Sequence, residues 1–170
     1  MWSASNARRL LAGLFLAALA GCTVRPLYAP AGFEAGPAAD LPAIAVDEPV
    51  TREEQVLRNA LLFGLRGGGA GEAPRYTLAY RLTILEREIA VERGTGVPNA
   101  YQLTGSLSFL IKDAATAASV FGANVTAIDS YTRSSQNYAT LRARRDAEDR
   151  LAQALAHLTQ ARIAAYFATH

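Results

Sequence analysis

The feature that most constrains the fold is a hydrophobic period of two that recurs three times and then gives way to a helical one. In residues 101–111, Tyr101, Leu103, Gly105, Leu107, Phe109 and Ile111 alternate with Gln102, Thr104, Ser106 and Ser108. Strict alternation of this kind marks a strand with one buried and one wet face. The same period runs through Tyr76, Leu78, Tyr80, Leu82 and Ile84, opposed by Thr77, Arg81 and Thr83. It returns through Phe121, Ala123, Val125 and Ala127, opposed by Gly122, Asn124 and Thr126. Three consecutive strands predict a meander with one apolar face and one face of Thr, Ser, Gln and Asn. After Ile84 the apolar positions move to the odd register at Leu85, Ile89 and Val91, which predicts a bulge or bend near Leu85.

Two helices are expected to cover the apolar face. Residues 138–167 lack Pro and Gly and are rich in Ala, Leu, Arg and Glu, a composition of high helix propensity. Ala147, Leu151, Ala154, Leu155, Leu158 and Ala161 predict the buried stripe. Arg142 with Asp146, Arg144 with Glu148, and Arg145 with Asp149 stand at the spacing of helical ion pairs. Upstream, Thr51-Arg52-Glu53-Glu54 spells a capping box ahead of Val56, Leu57, Ala60, Leu61 and Leu65. Gly67, Gly68 and Gly69 then stop that helix, because glycine accepts the positive φ of a helix end. Residues 41–50 supply a short buried strand closed by Pro49. The expected fold class is α/β, a two-layer sandwich of two helices packed on one face of a mixed, roughly four-stranded sheet.

The N-terminus has a different organisation. Arg8 and Arg9 precede an apolar run over residues 10–20, and small residues follow. The run is about half the roughly 20 residues that a membrane-spanning helix needs, so it matches a secretory signal peptide. Leu19-Ala20-Gly21-Cys22 fits the bacterial lipobox, in which the cysteine is acylated and becomes the mature N-terminus. Cys22 is the chain's only cysteine and can form no internal disulfide. Several acyl chains at about 0.8 kcal/mol per buried methylene anchor more firmly than one. Thr23, in place of an aspartate, favours the outer membrane. The expected division is a signal peptide at 1–21, a Pro- and Gly-rich tether at 22–40, and one domain at 41–170.

Charge and motifs exclude several function classes. Without Arg8 and Arg9 the chain carries 15 basic and 15 acidic side chains, where the full chain has 17 and 15; a neutral chain lacks the cationic excess of a nucleic-acid binder. Lys112 is the single lysine. The run Gly67-Gly68-Gly69-Ala70-Gly71-Glu72 lacks the Lys-Ser/Thr pair of a phosphate loop and follows a helix where such a loop follows a strand. His157 lies in a helical pattern, His170 ends the chain, and no metal-ligand spacing is present. Glu86, Glu88 and Glu92 share a strand face but sit beside Arg87 and Arg93, which predicts a solvated strand end. No enzyme and no cofactor are expected, apart from covalent lipid at Cys22.

The signal and lipobox, then Arg25-Pro26-Leu27-Tyr28, the segment QVLRNALLFGL, the strand opening PRYTL, and YATLRARRDAEDRLAQALA ending near AYF occur in an order and spacing that resemble the LptE family of lipopolysaccharide-assembly lipoproteins, in its alphaproteobacterial form. The resemblance implies a partner, the large outer-membrane β-barrel LptD, whose lumen such proteins occupy as a plug. It also implies assistance to lipopolysaccharide insertion into the outer leaflet. Some members are thought to contact lipopolysaccharide through basic residues; Arg81, Arg87, Arg133 and Arg142 are the candidates here, since arginine suits phosphate. The competing reading is a periplasm-facing auxiliary lipoprotein of an ABC-type lipid-transport system.

Overall fold

The computed structural model describes residues 40–70, 72–91 and 98–169. The expected signal peptide at 1–21, Cys22 and nearly all of the expected tether lie outside them. A 3-10 turn at Leu41–Ala43 leads into β1 (Ile44–Val46), followed by α1 (Arg52–Arg66), β2 (Tyr76–Val91), β3 (Pro98–Asp113), β4 (Ser119–Thr132) and α2 (Asn137–Phe167). The four strands form one sheet in the order β1-β2-β3-β4. β1 runs parallel to β2, while β2, β3 and β4 are antiparallel neighbours. The sheet is therefore mixed, with both helices on one face, as the pattern of periods predicts.

Local chemistry sets each boundary. Glu54 N–H donates to Thr51 Oγ1, and the Thr51 N–H donates back to the Glu54 carboxylate, so the capping box starts α1 as read from the sequence. Gly67 closes the helix at φ 59°, with its N–H on the Phe63 carbonyl. Asp113 organises the β3–β4 turn by accepting hydrogen bonds from the N–H groups of Ala115 and Thr116 and from the Thr116 hydroxyl. These bonds favour its charged form and hold its pKa below the usual carboxylate value.

The core lies between the layers. Leu78, Leu103, Leu107 and Ile111 from the sheet meet Leu57, Leu61 and Leu65 of α1 and Leu151, Leu155 and Ile163 of α2, all buried. Gly105 sits where α2 comes nearest to β3: a Cβ there would stand 2.8 Å from Leu155 Cδ1 and 3.1 Å from Leu151. At the C-terminal end of α2, Tyr76 contacts Phe167 with ring centroids 5.2 Å apart, and Phe121 stacks on Tyr166 at 4.6 Å.

The structure corrects three expectations. No bulge lies at Leu85, which stays in register opposite Thr104; the irregularities fall between Glu88 and Ala90 and between Ala90 and Val91. The change of apolar parity instead puts Leu85 on the uncovered face, 66% exposed. The buried stripe of α2 is Ala147, Leu151, Ala152, Leu155, Ala156, Thr159, Gln160, Ile163 and Ala164, while Ala154, Leu158 and Ala161 face outward. Its steps of four residues overshoot a full turn by about 40° each. The stripe therefore winds from the sheet at Leu151 and Leu155 to α1 at Gln160, whose Nε2 donates to the Ala60 carbonyl at 2.8 Å.

Of the three helical ion pairs, Arg144 with Glu148 forms at 3.0 Å. Asp146 instead pairs with Arg150, and Asp149 with Arg52 of α1. Glu86, Arg87 and Glu88 are exposed at the end of β2, as expected, and Glu86 also reaches across to α2. It holds Arg144 at 3.1 Å; Glu92 and Arg93 lie outside the described residues.

Candidate functional site

Among the described residues, the helices cover one face of the sheet and no element layers the other. Cross-strand register places on that open face Arg81 with Ser108 and Asn124, Thr83 with Ser106 and Thr126, Leu85 with Thr104 and Ile128, and Arg87 with Gln102 and Ser130. Lys112 lies opposite Thr77 at the end nearer β1. Charge is sorted between the two faces. Arg81, Arg87 and Lys112 have the parity of the open face, whereas Glu86, Glu88, Asp113 and Asp129 have the parity of the helix-covered side. Among the described strand residues no carboxylate shares the open face. Leu85 and Ile128, 66% and 64% exposed, flank Thr104 as an apolar row within this polar surface.

On the opposite side the carboxylates tie the layers together. Glu86 of β2 binds Arg144 of α2, Arg144 binds Glu148, and Arg52 of α1 reaches Glu148 at 4.0 Å and the Asp149 carboxylate through two bonds at 2.6 and 2.7 Å. Tyr131 lies at the β4 end of this chain of charges, stacked on Tyr101 with centroids 5.2 Å apart. Burial pushes its phenol up to about 12, and the neighbouring Glu86 carboxylate adds to the shift. A second tie joins β4 to α2: Arg150 grips Asp129 with two bonds, at 2.9 and 2.8 Å. At the other end Arg75 pairs with Asp40, the first described residue.

These pairs need no ligand, and nothing in them resembles a nucleophile with its base. No group of three or more His, Cys, Asp and Glu side chains among the described residues is placed to hold a metal ion. No helix among the described residues is long and apolar enough to cross a membrane. A shallow, open depression lies around Ala79, Arg81, Ser108 and Leu110.

The four arginines proposed from the sequence do not converge. Arg81 and Arg87 share the open face but lie six residues apart, about 20 Å along a strand. Arg133 follows β4, with its N–H on the Asn99 carbonyl at 2.8 Å, and Arg142 is exposed on α2. Sequence reasoning missed Lys112 as a member of the open face, although its even position in β3 carries that signal.

A family model described as "LptE: Lipopolysaccharide-assembly" matches residues 41–163. The chain belongs to the LptE family. Its match takes in every element from the 3-10 turn to most of α2. The fold recurs in solved structures. A protein described as a lipoprotein from Caulobacter crescentus CB15 has a TM-score of 0.64 at 24% identity, covering 79% of this chain and 97% of that one. A minor lipoprotein from Acinetobacter baumannii has a TM-score of 0.57 at 16% identity, covering 72% and 90%. The rare lipoprotein B from Shewanella oneidensis has 0.54 at 11%, covering 72% and 92%. At these identities the similarity concerns the fold alone. No curated protein matches by sequence.

Proposed function

We propose that this LptE-family chain is an outer-membrane lipoprotein, acylated at Cys22 after removal of residues 1–21, that occupies and supports assembly of the LptD β-barrel. In that place it assists insertion of lipopolysaccharide into the outer leaflet. It contributes binding and support and no catalytic step. The observation that carries this reading is the uncovered sheet face. A four-stranded sheet with both helices on one side presents a broad hydrophilic surface, and barrel interiors are polar and hydrated.

Dimensions agree with it. β2 has 16 residues, about 50 Å at the usual rise per residue, which exceeds the roughly 30 Å hydrocarbon core. Asp40, where the tether would join the domain, pairs with Arg75 just before β2, so the C-terminal end of β2 at Val91 and the start of β3 lie at the far end. A domain held by lipid at the periplasmic leaflet is long enough to reach through a barrel toward the other surface.

The four separated arginines give direct lipopolysaccharide contact no single phosphate site. Support for transport through the barrel is therefore the stronger form of the proposal. Depleting the protein and following surface lipopolysaccharide tests it: surface lipopolysaccharide and correctly assembled barrel should fall together. Normal levels of both would contradict it. An inner-membrane transporter recovered as sole partner would instead favour an auxiliary role in ABC-type lipid transport.

A further inference from the structure

We infer that the open sheet face is the surface by which this protein docks on its partner, and that the matching wall of that partner is an acidic, hydrated protein surface. This rests on the barrel reading above and goes beyond it by assigning the face and the chemistry opposite.

The argument is charge complementarity joined to spacing. Arg81, Arg87 and Lys112 are the charged residues of the open face of β2, β3 and β4, and every carboxylate of those described strands has the other parity. Random placement does not favour such sorting on a two-sided sheet, and three of the four carboxylates on the helix side have partners there: Glu86 with Arg144, Asp129 with Arg150, Asp113 with the turn at Thr116. The three cations have no comparable carboxylate on their own face. Lys112 lies opposite Thr77, so it is about 14 Å along the strand from Arg81 and about 34 Å from Arg87. A charge-assisted contact needs atoms within about 3 Å. No single phosphate group, free or on a lipid, bridges that row, whereas a protein wall with spaced carboxylates can.

The row Leu85, Thr104 and Ile128 between Arg81 and Arg87 supports a protein partner further. Exposed apolar side chains within a polar surround are the pattern of protein interfaces, with an apolar centre and a polar rim. The short hydroxyls of Ser106, Ser108, Thr83 and Thr126 beside them suit a contact carrying bridging water.

The test uses the full-length, exported protein carrying an affinity tag, expressed with its own outer membrane intact. The triple charge reversal Arg81→Glu, Arg87→Glu, Lys112→Glu is compared with a control of equal charge change on the exposed surface of α2, Arg145→Glu, Gln153→Glu, His157→Glu, Arg162→Glu. The expected result is at least tenfold less barrel recovered with the open-face variant at about 0.15 M salt and near wild-type recovery with the control. Both variants should have unchanged circular dichroism and melting temperature. Equal recovery with the open-face variant would overturn the assignment while leaving the barrel partnership standing. Equal loss in both variants would overturn it too, by showing a charge effect without a face. Loss of binding to lipopolysaccharide vesicles with barrel recovery intact would reassign the face to lipid. Absence of any barrel with the wild type would overturn both this inference and the partnership beneath it.

Discussion

Arg150 of α2 clasps Asp129 of β4 through two hydrogen bonds, from Nε at 2.9 Å and from Nη2 at 2.8 Å. The pair fixes the long helix over the edge strand. The Arg150 guanidinium, then the N–H of Ser130, favour the charged carboxylate and hold the Asp129 pKa below its ordinary value against the opposing effect of burial. A carboxylate whose pKa is lower folded than unfolded contributes stability above the unfolded value, near 3.9. That contribution is lost as pH falls through the lower folded value. Asp129→Asn should therefore cost about 1 kcal/mol near neutral pH, the upper range for a solvent-accessible pair. The difference from wild type should shrink toward zero in urea titrations performed at pH values well below 3.9. A difference that persists in acid would mean that the carboxylate acts by something other than charge.

Gly105 leaves space for Leu151 and Leu155. In Gly105→Ala the new methyl group would meet Leu155 Cδ1 at 2.8 Å, an overpacking that should destabilise by about 1–3 kcal/mol. Adding Leu155→Ala should cost less in the Gly105→Ala background than in wild type, because the two changes share one space. Chemical denaturation of the four proteins gives the coupling, and strict additivity would contradict the close approach.

The helix crossing is specified by Gly64 and Gln160. A Cβ at position 64 would lie 2.0 Å from Gln160 Nε2, and that nitrogen otherwise satisfies the Ala60 carbonyl. Gly64→Ala should displace the amide and destabilise by about 1–3 kcal/mol, because the Gln160 amide loses its acceptor. Thermal melts of Gly64→Ala and of Gln160→Ala should show similar losses, and a silent Gly64→Ala would contradict the packing described.

Thr51→Ala removes the acceptor for the Glu54 N–H and should cost about 1 kcal/mol. Hydrogen exchange should show the loss concentrated in the first turn of α1, and uniform destabilisation of the helix would argue against a cap.

What the sequence made legible was local. The capping box at Thr51 and Glu54 spans one turn, and the alternation in β3 needs only its own residues. Both appear as read. The ion pairs were less legible because their partners are distant. Arg52 lies 97 residues from Asp149, and nothing near Asp149 competes visibly with Arg145 until α1 packs beside α2. The α2 stripe was misplaced because a single 3.6-residue face assumes one neighbour, and this helix has two, the sheet at Leu155 and α1 at Gln160. Leu85 was taken as a bend because an apolar residue was assumed to face the core; register puts it on the open face instead, 66% exposed. The candidate site shows the same division. The parity of Arg81 was readable, but the sorting of all charges between two faces emerges only when β2, β3 and β4 are in register.

The most direct test of the central claim is to capture the tagged, full-length protein from outer membranes in mild detergent and identify what accompanies it. The expected result is the LptD barrel in near one-to-one amount with acylated protein, and loss of that complex from the outer-membrane fraction for Cys22→Ser. Recovery of an unacylated protein free of any barrel would contradict it.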